Sequence, residues 1–66
     1  MNDTSKLISY VKHEIAKQKE QFEASLSAGR AEDFAEYKYI CGVIRGLNLS
    51  DEILSDLASR LENNDD

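Results

Sequence analysis

The segment Phe34–Leu49, FAEYKYICGVIRGLNL, is apolar over far more than one helical stripe, and it carries Gly42 and Gly46 four residues apart. A surface helix needs one apolar face, so a helix that is apolar on several sides has to be covered on several sides. A chain of 66 residues has little of its own to cover it with. The first expectation is therefore a protein that works by packing against other protein.

Length sharpens this. A chain this short is one domain at most, and a single small core supplies only a few kcal/mol. Disulfides, metals or association are the usual supports. The single cysteine, Cys41, cannot form an internal bridge, and the single histidine, His13, offers no second imidazole for a metal or a proton relay. Cys41 lies inside an apolar run and reads as a small hydrophobe. Association is the support left.

Charge is uneven. Residues 1–50 hold seven acids and seven bases, whereas residues 51–66 hold six acids and one base, Arg60, so the whole net charge of −5 lies at the C-terminal end. No basic face is available for nucleic acid. An acidic end serves solubility, or a basic partner surface. The first fifteen residues contain Lys6, Lys12 and Glu14 with no apolar run, which does not read as a leader. Gly42 and Gly46 have the spacing of a membrane dimer motif, but Glu36, Lys38 and Arg45 interrupt the segment, and no membrane role is expected.

The chain has no proline and no sustained alternation of period two, so helix is the default. The pattern predicts an all-α antiparallel helical hairpin, oligomeric, in one domain spanning residues 1–66: a helix over about 4–28, a turn at 28–31 and a helix over about 31–62. Asp3, Thr4 or Ser5 caps the first helix, and Leu7, Ile8, Val11, Ile15, Phe22 and Leu26 share one face. Gln18 interrupts that face, and Lys19 and Glu23 are spaced to pair. Gly29 stops the helix, and Glu32, Asp33 and Glu36 favour the start of the next. Ile40, Val43, Leu47, Ser50, Leu54, Leu57 and Leu61 form a heptad seam, which favours one continuous second helix. A rival reading breaks it at residues 48–50, with Ser50 capping a short third helix. Asn63 to Asp66 read as a frayed end.

Folding the hairpin at Gly29 places Phe22 opposite Tyr37, Ile15 opposite Ile44, Val11 opposite Asn48 and Ile8 opposite Asp51. In that register Leu57 and Leu61 project past the first helix, and the Gly42–Gly46 notch faces outward as a helix-crossing site. The expected interface is Phe34, Tyr37, Ile40, Cys41, Ile44, Leu47, Leu54, Leu57 and Leu61. Burying three or four such side chains contributes on the order of 5–8 kcal/mol before the cost of association. No catalytic, cofactor-binding or metal-binding residues are expected: His13 reads as solvated, the acids near residue 33 as helix-terminal charges, and Ser50 and Ser55 lack a base along their helix. Tyr10, Tyr37 and Tyr39 have no basic surroundings for stacking on bases and read as interface residues.

Gly29-Arg30-Ala31, Asp33-Phe34, Glu36-Tyr37 and Gly42-Val43-Ile44-Arg45-Gly46-Leu47 together resemble the turn and second helix of a type of small helical open reading frame product of tailed bacteriophages. The resemblance covers about half the chain. It implies a non-enzymatic interaction module, a virion or assembly-associated protein that docks on a larger structural protein, located in the virion or the host cytoplasm. The alternative is a phage-encoded inhibitor or regulator of a host protein, acting through its helical face and acidic end. It carries no assigned activity and no cofactor.

Overall fold

The computed structural model describes residues 3–63, in which two helices, α1 (Asp3–Ser27) and α2 (Phe34–Asn63), pack antiparallel along their length. The molecule measures 52 × 15 × 11 Å, and its radius of gyration of 15.3 Å exceeds the roughly 11 Å of a compact chain of this length. The expected fraying of the last residues lies, for positions 64–66, outside the described residues, and Asn63 closes α2.

Gly29 ends α1 as its sequence position requires. It adopts φ of +69°, where a Cβ would be strained, and the amides of Gly29 and Arg30 donate to the carbonyls of Leu26 and Ser25. This pair of bonds is a Schellman closure, which satisfies carbonyls that the last helical turn would leave open. The chain then takes a longer path than expected, and α2 begins at Phe34 instead of near Ala31. Asp33 is the reason: its Oδ1 accepts from the Glu36 amide at 2.8 Å, which makes Asp33 the N-cap. Glu36 reaches back to accept from the Glu32 amide at 2.7 Å. The expected acidic helix start is thus a cap built by two of those carboxylates.

α2 is continuous through residues 48–50. The Ser50 hydroxyl donates to the Gly46 carbonyl at 2.9 Å, within the same helix, so it does not serve as the cap of a third one.

The register differs from the one expected. Lys12, half-buried in the seam, pairs with Asp51 at 3.2 Å and donates to the Ser55 hydroxyl. Ile8 shares a groove with Ala58 and Ser59, not with Asp51. The helices are therefore offset by one to two turns, because the link runs from Ala28 to Asp33 and moves the pivot beyond Gly29. As a result α1 flanks α2 to its C-terminal end: Ser5 and Glu62 line the same groove, and Leu61 is half-buried instead of projecting past α1. On α1, Leu7 is exposed, and the inward row runs Ile8, Lys12, Ile15, Lys19, Phe22, Leu26. Lys19, not Gln18, takes the position between Ile15 and Phe22. The other ion pairs among the described residues are Glu14–Lys17 and Asp56–Arg60, so the expected Lys19–Glu23 pair is replaced by a lysine turned toward the seam.

Among the described residues only Ile8 and Ile40 are buried, at 6% and 9% exposure. Replacing Gly29 by alanine should cost about 1 kcal/mol, because φ of +69° disfavours any Cβ. In urea unfolding this appears as a lower midpoint with an unchanged m value.

Candidate functional site

At 100° per residue, α2 carries two apolar rows about 120° apart. The first row is Ile40, Ile44, Leu47, Leu54 and Leu61, all buried or half-buried. These five residues belong to the expected interface, and the structure places them against α1, where they form the core of the hairpin. Lys12 and Asp51 sit in the middle of this row as a polar pair. A pair at this exposure contributes about 0.2–1 kcal/mol, and its larger effect is to fix which turns of the two helices meet.

The second row lies on the side of α2 away from α1. Tyr39, Gly42, Gly46, Leu49 and Ile53 follow one another by three and four residues and are all exposed, Tyr39 and Ile53 at 66% and 68%. Leu57, expected to overhang α1, is exposed because it belongs to this side. Nothing in the chain lies within 4 Å of a Cβ built on Gly42 or Gly46, so the two glycines form an open shallow in this face. The sequence assigns the glycines to an outward notch and reads Tyr39 as an interface residue, but that reading misses Leu49 and Ile53. The signal was present in the 39-42-46-49-53 spacing, which repeats the heptad rhythm out of phase with the first row.

A third group occupies the start of α2. Phe34 is 72% exposed and stacks on Tyr37, with ring centroids 6.3 Å apart, and the Lys38 ammonium lies 5.8 Å from the Phe34 ring centre. Cys41, one turn further on, is half-buried. The Tyr37 phenol is raised above its ordinary value of 10.0, first by a hydrogen bond with the Cys41 side chain and then by the negative charge that the thiolate brings.

The exposed area is large for the mass. The chain presents 5244 Å² to solvent, whereas a compact monomer of 7.5 kDa presents about 4,200 Å². The elongated shape of two helices side by side accounts for this excess, and on α2 the exposed side chains include the apolar Tyr39, Leu49 and Ile53.

Chemistry is sparse by comparison. Among the described residues no three His, Cys, Asp or Glu side chains gather into a metal site. Ser55, which has no base along its own helix, does meet Lys12 across the hairpin, but Lys12 is bound to Asp51 and acts as a donor to both groups. An ammonium held that way has no lone pair with which to take the hydroxyl proton. His13 is exposed. No helix among the described residues is long and apolar enough to cross a membrane.

Replacing Cys41 by alanine should lower the Tyr37 pKa toward 10.0, read by phenolate absorbance in a Tyr10→Phe, Tyr39→Phe background. Folding raises this pKa, so its small stabilising contribution is present below pH 10 and is lost as pH rises through the raised value.

With this geometry in hand, no protein-family model, curated protein or solved structure matches the chain.

Proposed function

We propose that this protein is a non-enzymatic protein–protein interaction module, and specifically a small virion or assembly-associated protein of a tailed bacteriophage that docks on a larger structural protein. The observation that carries the first part is the exposure of large apolar side chains along α2, from Phe34 through Tyr39 and Leu49 to Ile53, on a helix whose other side is already occupied by α1. Leaving such groups in water forgoes about 1.5–3 kcal/mol for each full-sized side chain, and a second protein surface recovers it. The phage assignment is supported by the resemblance of Gly29–Leu47 to small phage proteins.

The rival reading, a regulator of a host protein acting through its acidic end, has less support. Asp51 is held by Lys12 and Asp56 by Arg60, so two of the three acids at positions 51, 52 and 56 are engaged within the chain. Binding by that route would weaken steeply with salt and on neutralising Asp51, Glu52 and Asp56.

Mass spectrometry of purified virions tests the placement: the peptide should be present in stoichiometric amount, and its absence removes a virion role. Phe34→Ala should weaken capture of the structural partner from infected cells by about tenfold or more, at unchanged helical circular dichroism, since Phe34 contributes little to the hairpin itself. Unchanged capture would detach the aromatic end from function.

A further inference from the structure

We infer that the outer face of α2 binds a second copy of the same chain, with the two α2 helices antiparallel and related by a two-fold axis near residues 47 and 48. This rests on reading that face as a docking surface, and it names the occupant.

The first support is that the face is complementary to itself. The exposed positions 35, 39, 42, 46, 49, 53, 56 and 60 are spaced by alternate steps of four and three residues, a series that reads the same from either end. Laid antiparallel on its own copy about its centre, the row sets Gly46 opposite Leu49 of the second copy and Gly42 opposite Ile53 of the second copy. Leu49 and Ile53 thus each meet a position with no side chain, while Tyr39 falls opposite Asp56 and Ala35 opposite Arg60 of the second copy, and the open space over both glycines is what such knobs need. A parallel pairing in register would set glycine against glycine and leucine against leucine, which leaves voids and clashes along one seam.

The second support is charge. Lys38, Arg45 and Glu52 follow at intervals of seven residues along one flank of the outer row. In an antiparallel pair, like flanks meet, and the same axis brings Arg45 beside Glu52 of the second copy, twice by symmetry. In the parallel alternative Arg45 would meet the opposite flank near Ser50, which offers no charge.

Extent agrees. The axis falls within about one residue of the midpoint of α2 (Phe34–Asn63), so the helices overlap over almost their whole length. The two Phe34–Tyr37 clusters remain uncovered at opposite ends of the pair, available to a larger partner.

Sedimentation equilibrium of the full chain at micromolar concentration tests this. The expected mass is twice 7.5 kDa. Gly46→Leu should give a monomer that is still helical and melts no lower than the parent diluted to its monomeric form, since the added side chain meets nothing within the chain and favours helix. Arg45→Glu and Glu52→Arg should each weaken self-association by about tenfold or more, and an equimolar mixture of the two should recover it, because in the mixed pair both contacts join opposite charges again. A parent chain that stays at 7.5 kDa up to about 100 μM overturns the inference, as does a dimer whose charge variants do not rescue one another. If the chain is monomeric but Ile53→Asp still abolishes capture of a structural partner, the docking reading stands and only the second copy is removed. A dimer absent from virions removes the phage placement and leaves this pairing intact.

Discussion

One antiparallel neighbour can shield one side of a helix, and α2 is apolar on two. The hairpin resolves half of that problem. α1 covers the row from Ile40 to Leu61 and leaves the row from Tyr39 to Ile53 in water. Among the described residues nothing is left for a third helix, since α1 and α2 account for nearly all of them. The small core, in which Ile8 and Ile40 are the only buried side chains among the described residues, follows from the same shortage. So does the elongated shape, because two helices side by side have no third layer to close around.

The link from Ala28 to Asp33 offsets the two helices, and the polar contacts of Lys12 mark one alignment within that offset. Leucine and isoleucine rows can slide by a turn at modest cost, whereas the Lys12 contacts with Asp51 and Ser55 exist in one alignment only. That alignment extends α1 alongside the last turns of α2 and turns Leu61 inward. It also engages Asp51, so a carboxylate that looks free in sequence has a structural task. The two caps at the link, Asp33 for α2 and Gly29 for α1, hold the ends of the helices at the separation this offset requires.

Much of the fold is legible in the sequence because its signals are local. The stop at Gly29, the acidic start of α2 and the 3-4 rhythm of the inner row each depend on residues a few positions apart. The register is not legible, because it depends on Lys12 meeting residues about forty positions away and on three extra residues left out of α2 at its start. Leu7 illustrates a smaller failure: it is adjacent in sequence to the buried Ile8, yet a 100° step turns it to solvent. The candidate site was half legible. Gly42 and Gly46 are recognisable as an outward pair, but Leu49 and Ile53 lie outside the Ile40-to-Leu61 seam on which the reading of a continuous helix rests. Once Ser50 is seen to bond back to Gly46, the helix runs on and the two residues fall into line with the glycines.

The central claim is that a second protein surface covers the outer side of α2 in the working state. Hydroxyl-radical footprinting of Leu49 and Ile53 addresses it most directly, with the buried Ile40 as internal reference. Both side chains should be protected nearly as well as Ile40 at micromolar concentration and become reactive on dilution. Full reactivity at every concentration, and also in the presence of candidate structural partners, would contradict it.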